Sequence, residues 1–403
     1  MKVLLIGSGG REHAIGWKLA QSSRVDELVS LPGNPGLAQL GPIVEGIGVN
    51  DVGAISAMAR IQGVDLVVVG PEAPLAAGLV DALSRLHIPV FGPTRAAAML
   101  EVSKAFAKSI MTRAGVPTGH SDTFSTTEAV AHHLDTTDGP YVVKADGLAG
   151  GKGVLVTDSR DEAKAWATKW TDQGPVVVEE HLAGPEVSVF AVCTERGAVA
   201  LEPARDYKRL LAGDEGPNTG GMGAYSPVPD LPDDLVPWTM ANVVEPVLRQ
   251  MDDAELPFHG FLYTGLVLTS DGPKVLEFNV RLGDPETQAV LPRMKSDLVD
   301  VLEGAKPEWS DTSTVDVVLA AEGYPDDPVK GARISGLGGG LPEGVMVFHA
   351  GTRSEDGRIV VDGGRVLNVV GSGPDLATAR ERAYDAVSRI SWPGMQYRDD
   401  IAM

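Results

Sequence analysis

Apolar positions run along this chain in two alternating patterns. Over the first hundred residues, short unbroken apolar runs alternate with stretches where apolar residues recur every three or four positions. Val3 to Ile6 is such a run. It passes into Gly7-Ser8-Gly9-Gly10, after which Ala14, Trp17, Leu19 and Ala20 mark one side of a helix. Leu28 to Leu31, Leu66 to Val69 and Ile88 to Phe91 repeat the strand signal, and each ends in a glycine- and proline-rich turn. Strands apolar on both faces, separated by helices, predict an open parallel sheet whose ligands gather at the C-terminal strand ends. Gly10, Asn34 and Glu72 fall at such ends and are expected to line one crevice. Thr94 is expected to cap a long helix through Ala114, closed by Gly115 and Pro117.

Beyond residue 115 the pattern changes. "GPYVVKADGLAGGKGVLVTDS" reads as two strands around a glycine-rich loop, and "GPVVVEEHLAGPEVSVFAVCT" as two more around a short link. "KVLEFNVRLGDPETQ" carries a further strand and its exit. Direct connections through short glycine loops favour antiparallel pairing, so this middle portion is expected to be α+β. From about residue 310 a last segment of short β runs ends in the helical "PDLATARERAYDAVSRI".

A length of 403 residues is too great for one ordinary core and predicts two to four domains. The formal charge of −21, from 34 basic and 55 acidic residues, argues against a nucleic-acid surface and is read as serving solubility. The one cysteine, Cys193, rules out an internal disulfide framework and lies in an apolar strand pattern, where a buried inert thiol is expected. No apolar stretch is long enough to span a bilayer, and the first run breaks too early for a signal peptide. These features point to a soluble, cytoplasmic protein that binds neither membrane nor nucleic acid.

Candidate chemistry sits at the turns. The first glycine loop, at a helix N-terminus, is a place for an anion. A dinucleotide site would need glycine where Glu12 stands and an acid after the second strand, which is missing. A tight turn and a site for a small phosphorylated substrate both remain open. "KADGLAGGKGV" is not a P-loop, because Asp146 and Gly153 replace the required glycine and hydroxyl residue. It offers Lys144 on a strand, followed by a glycine hairpin suited to folding over phosphates. "VVVEEHLAGPE" suits the edge of an adenosine pocket, with the backbone of Glu180 to Leu182 reading adenine and Glu186 binding ribose hydroxyls. In "VLEFNVRLGDPE", Glu277 and Asn279 lie two apart on a strand and so face the same way. A carboxylate and an amide oxygen suit Mg²⁺, which takes one or two protein oxygens and completes its shell from phosphates. Arg281 continues that face, where it would brace a phosphate or pair with Glu277. "ARDYKRLLAGDEGPNTGGMGAYSP" reads either as a loop that closes over substrate or as a disordered surface loop.

Taken in order, Lys104 in "SKAFAK", Lys144 with its hairpin, "EEHLAGPE" and "EFNVR" resemble the ATP-grasp superfamily. "GSGGREHA", "GNPG", "GPNTGGMGAYSP", "NVRLGDPETQ" with "LPRMKSDL", "VFHAGT" and "GGRVLNVV" narrow the resemblance to the phosphoribosylamine–glycine ligase family, over the whole chain. It departs at His181, usually aromatic in that family, at Gly150, where alanine is common, and in "ARDYKR". The resemblance implies an α/β and α+β multidomain fold: an N-terminal open parallel sheet, a central two-lobed ATP-grasp unit and a small β-rich C-terminal domain. The expected bounds are 1–103, 104–309 (small lobe about 118–184) and 310–403. The implied reaction joins glycine to 5-phosphoribosylamine using ATP, through glycyl phosphate, in purine biosynthesis. Implied for ATP are Lys104, Lys144, Gly150, Gly151, Lys152, Gly153, Glu179, Glu180, His181, Leu182 and Glu186. Glu277 and Asn279 are implied for Mg²⁺ or Mn²⁺, and Arg281, Lys144, Asp206 and Asp284 for catalysis. Gly9, Gly10, Asn34, Glu72, Asp206, Asn218, Gly220, Gly221, Arg281, Asp284 and Arg365 are implied for the other substrates. The partners are those small molecules alone, and a monomer is expected.

Overall fold

The computed structural model describes residues 1–148 and 153–403, so Gly150, Gly151 and Lys152 lie outside the described residues. The strands Lys2–Gly7, Glu27–Pro32, Leu66–Val69 and Val90–Phe91 form the expected parallel sheet, with Lys2–Gly7 between the second and third. Val3, Leu4, Leu5 and Ile6 are all fully buried, which is why this strand is apolar at successive positions rather than alternate ones.

The helix expected from Thr94 to Ala114 is instead two. Met99–Val102 ends at Ser103, which is extended, and Lys104–Ala114 begins there with the Ser103 hydroxyl accepting from Phe106 N–H. Serine competes for backbone donors and so makes a better N-cap than helix interior. Gly115 closes the second helix in the left-handed conformation, as the sequence suggested.

The middle of the chain builds two sheets. The first places Tyr141–Ala145 between Val154–Thr157 and Val176–Glu179, with Ser121–Phe124 at the edge, all antiparallel. Helices Thr127–Thr136 and Arg160–Thr171 cover it, burying Val130, Leu134, Val143, Ala163, Ala167 and Val176 in a separate small core. The second sheet runs Gly197–Ala200, Glu186–Thr194, Gly260–Thr269, Gly272–Asn279, again antiparallel. Val176–Glu179 and Glu186–Thr194 therefore do not pair. Residues 180–185 carry the chain from the small sheet to the large one. Cys193 is fully buried in the second sheet, and burial pushes its thiol pKa up.

The last sheet has five strands in the order Arg205–Asp206, Gly223–Ser226, Ser313–Ala320, Arg365–Gly373, Val345–His349. Two of them precede residue 310, so the stretch from Arg205 to Ser226 is ordered and leaves the middle portion to join the C-terminal sheet. One face, with Val315, Val317, Leu319, Leu367 and Val369, packs on helix Leu376–Val387. The other carries Phe348 and Val370 against Ala14, Ile15 and Leu19 of the first helix, Gly10–Leu19. This second contact brings the first glycine loop beside the C-terminal sheet.

Candidate active site

Three groups of side chains converge where these sheets meet. The first is built on lysines. Asp146 leaves its strand and accepts from Ser103 Oγ (3.1 Å) and Ala105 N (3.3 Å), which pins the strand exit to the N-terminus of helix Lys104–Ala114. Lys104 then reaches Gly147 O at 3.2 Å. Lys144 is buried, with its Nζ 2.8 Å from Glu179 Oε2; Lys108 approaches the same oxygen at 3.3 Å. Burial holds Lys104 below the ordinary lysine range, Glu277 opposes that shift, and Lys144 adds to it. Glu179 thus faces inward and holds two lysines, while Glu180 and His181 are exposed at the link and Leu182 is half-buried. Glu180 accepts from His120 N at 3.1 Å and sits 3.5 Å from Lys274. Gly153 is buried at the start of its strand, where its carbonyl accepts from Ala145 N at 2.8 Å.

The second group lies on the exit of strand Gly272–Asn279. Asn279 Nδ2 is 3.4 Å from Glu277 Oε1, which places the two side chains on one face as their spacing required. Arg281 does not pair with Glu277. Its guanidinium meets Glu101 at 3.0 Å, Glu72 at 3.3 Å and Asn279 Oδ1 at 3.0 Å. Glu101 also accepts from Val280 N at 2.8 Å, so Glu72 and Glu101 clamp the end of this strand from outside its sheet.

The third group surrounds the first glycine loop. Glu12 is buried, with Oε2 accepting from Gly9 N at 2.6 Å and Oε1 accepting from Arg11 Nε at 2.6 Å. A Cβ at Gly7 or Gly70 would stand 2.4 or 2.3 Å from Glu12. These glycines make room for the protein's own carboxylate, which answers why Glu12 replaces the glycine of a dinucleotide loop. Gly9 lies close to Asp284, since a Cβ there would be 3.5 Å from Asp284 Oδ2. Arg365 binds Asp284 Oδ2 at 3.1 Å, Asp284 O at 2.6 Å and Gly220 O at 2.5 Å. Gly221 has φ +114° and packs on Pro285, where a Cβ would meet the ring at 2.4 Å. Burial would raise the Asp284 pKa, but Arg365 and Arg11 outweigh it and hold the carboxyl below its ordinary value.

Asn34 is spent on structure. Its Oδ1 accepts from Gly36 N and Leu37 N, and its Nδ2 donates to Ser8 O and His349 O. Asn218 is exposed on strand Glu215–Asn218, opposite Arg209. Asp206 and Glu186 share Lys208, at 3.0 and 2.6 Å, beside the buried Glu286. Ser188 Oγ lies 3.1 Å from Glu286 Oε1, and burial followed by Asp206 raises the Glu286 pKa to about 7.

Models of the three domains of phosphoribosylglycinamide synthetase match this chain in order: the N domain over residues 1–101, the ATP-grasp (A) domain over 102–287 and the C domain over 314–403. The chain belongs to the phosphoribosylglycinamide synthetase family. It is 49% identical to the phosphoribosylamine–glycine ligase of Leifsonia xyli, over the whole of this chain and 99% of that one. The crystal structure of phosphoribosylamine–glycine ligase from Thermotoga maritima covers both chains fully, with a TM-score of 0.87 at 37% identity. The biotin carboxylase domain of Hydrogenobacter thermophilus 2-oxoglutarate carboxylase shares the fold, at a TM-score of 0.75 and 17% identity. As a member of the phosphoribosylglycinamide synthetase family the chain is an ATP-grasp ligase that joins glycine to phosphoribosylamine, the ATP-dependent second step of purine biosynthesis. No helix among the described residues is long and apolar enough to cross a membrane.

Two charged residues that contact these groups escaped the sequence reading. Lys108 was within reach of it, four positions after Lys104 on the same helix face. Glu101 carries no local signal; only the tertiary fold brings it to Arg281.

Proposed function

We infer that the reaction proceeds through glycyl phosphate. Glycine's carboxylate oxygen forms a bond to the γ-phosphorus as the bond to ADP breaks. The amine of phosphoribosylamine then bonds to the acyl carbon, phosphate leaves, and the amine gives up a proton. Glycine's carboxylate is already a nucleophile, so the protein's task is alignment and charge neutralisation.

The three portions 1–103, 104–309 and 310–403 divide this work. Lys104 and Lys144 bind the ATP phosphates. The backbone at residues 180–182 takes the adenine and Glu186 the ribose. Glu277 and Asn279 would hold Mg²⁺ or Mn²⁺; their two hard oxygens on one face fit such an ion, which supplies charge neutralisation when bound. Arg281, fixed by Glu72 and Glu101, orients Asn279 and adds positive potential at the transferred phosphoryl group. Gly9, Gly10, Asp284 and Arg365 form the phosphoribosylamine side, with Gly220 and Gly221 against it, and Asp206 with Asp284 takes the amino groups. The enzyme works as a monomer in the cytoplasm.

One observation carries this reading: Glu277 and Lys144 both act electrostatically on Lys104, while Arg281, two residues beyond Asn279, meets Asn279 and the Glu72 carboxylate of the N-terminal portion. The test follows phosphate release from ATP with and without glycine and freshly made phosphoribosylamine. Glycine carrying heavy oxygen in its carboxylate should pass one labelled atom to the phosphate. Unlabelled phosphate would refute the acyl phosphate.

A further inference from the structure

Beneath the Asp284–Arg365 pair lies a set of polar groups that the reaction as described does not use. Asn368 and Asp316 share one face of the C-terminal sheet. Asn368 pairs with Val318, and Asp316 stands two residues before Val318 on the same strand. Such diagonal neighbours are about 7–8 Å apart. Both side chains point toward the first helix, the direction taken by Phe348 and Val370. Asn368 comes against the first turn of that helix, since a Cβ at Gly10 would stand 2.2 Å from its Nδ2 and 2.6 Å from Gln288 Nε2. Gln288 in turn donates to Asp284 Oδ1 at 2.7 Å.

All three side chains are at most 1% exposed. Yet Asn368 Nδ2 and Oδ1, Gln288 Oε1 and both carboxyl oxygens of Asp316 make no hydrogen bond to any described protein group. Buried side-chain polar groups are nearly always partnered, and leaving one unpaired costs far more than its hydrogen bond is worth. A cluster of such atoms, drawn from two strands and a helix, has the donor and acceptor groups that buried water bridges. Burial, with Asp284 close by, raises the Asp316 pKa well above its ordinary value.

We propose that the space between the first turn of helix Gly10–Leu19, Gln288 and the C-terminal sheet is a built water site, and that Asn368 and Asp316 are positioning residues acting through it. The water they hold fixes Gln288, and Gln288 fixes the Asp284 carboxylate against Arg365 and Gly9. This rests on the placement of phosphoribosylamine at Gly9, Gly10, Asp284 and Arg365.

The experiment uses the whole enzyme. A crystal structure fine enough to show solvent should place ordered water within hydrogen-bond reach of Asn368 and Asp316. Asn368→Leu should raise KM for phosphoribosylamine about tenfold while KM for ATP and for glycine stays put. A dry pocket predicts the opposite sign: removing unpaired polar atoms would raise Tm and leave every KM unchanged, which overturns the proposal. Should Asn368→Leu not fold, the comparison of Asp316→Asn with Asp316→Leu decides. The first keeps shape and hydrogen bonding and should retain the wild-type KM; the second should not, and identical behaviour of the two overturns the proposal. Arg365→Ala separates the two levels of failure. If it raises KM for phosphoribosylamine and Asn368→Leu does not, the water site alone is wrong. If neither moves that KM, the placement of phosphoribosylamine is wrong and the positioning role falls with it.

Discussion

Replacing Glu179 by glutamine tests the lysine cluster most directly. Two ammonium groups, Lys144 and Lys108, converge on one Glu179 oxygen at 2.8 and 3.3 Å, and all three side chains are at least nine-tenths buried. At an effective dielectric of about 20, the attractions amount to roughly 6 and roughly 5 kcal/mol. Glutamine removes both, although Glu179's own desolvation cost disappears with its charge. Stripping the counterion from a buried group typically costs about 3–5 kcal/mol, and here two cations lose it together. Burial already holds Lys108 below the ordinary lysine range against the pull of Glu179, so without that carboxylate its proton is held more weakly still.

ATP changes the comparison. If Lys144 faces the nucleotide phosphates, ATP restores the negative charge that Glu179→Gln removed. Thermal unfolding should therefore show a Tm several degrees below wild type without nucleotide, and a larger upward shift on adding saturating ATP than wild type shows. Lys144→Met, which leaves one lysine with one glutamate, should be the milder lesion in stability and the worse one in KM for ATP. The reasoning fails if Glu179→Gln melts within a degree of wild type, or if ATP raises both Tm values equally.

Glu277→Gln should lose nearly all turnover with Tm unchanged, and near-normal rates at limiting Mg²⁺ would remove it from the metal pair. Gly10→Ala should cost about 1–3 kcal/mol, because its Cβ collides with Asn368 and Gln288, and should raise KM for phosphoribosylamine rather than for ATP. Burial lowers the pKa of His13 to about 3 and of His349 to about 4, so both stay neutral in the fold while the unfolded chain protonates. Stability should be full above about pH 6.5 and fall by several kcal/mol toward pH 4; a Tm flat over that range, or a slope untouched by His13→Gln, would contradict this. Glu286 runs the other way. Its pKa is raised to about 7, so its contribution is complete below the ordinary carboxylate range and is lost as pH rises through 7. Glu286→Gln should therefore raise Tm at pH 8 more than at pH 5, and an equal effect at both would refute the shift.

What the sequence revealed and what it hid follow from the range of the interactions involved. Spacing of two on a strand put Glu277 and Asn279 on one face whatever surrounded them, and that much could be read directly. The parallel sheet was equally legible, because strands buried on both faces are apolar at every position. The partner of Arg281 was not legible. Glu72 and Glu101 lie about two hundred residues earlier and reach it only when the N-terminal sheet docks on the middle sheet. The same holds for the opening loop. Composition offered a phosphate or a bare turn, but the cradle's Gly9 N–H is taken by Glu12, three residues on. That carboxylate fits only because Gly70, from another strand, leaves space for it. A glycine therefore meant three different things in this chain: a left-handed turn at Gly221, room for a neighbour's carboxylate at Gly70, and close approach of a third sheet at Gly10. Local sequence cannot distinguish them, because the atom each glycine makes way for belongs to a different part of the fold.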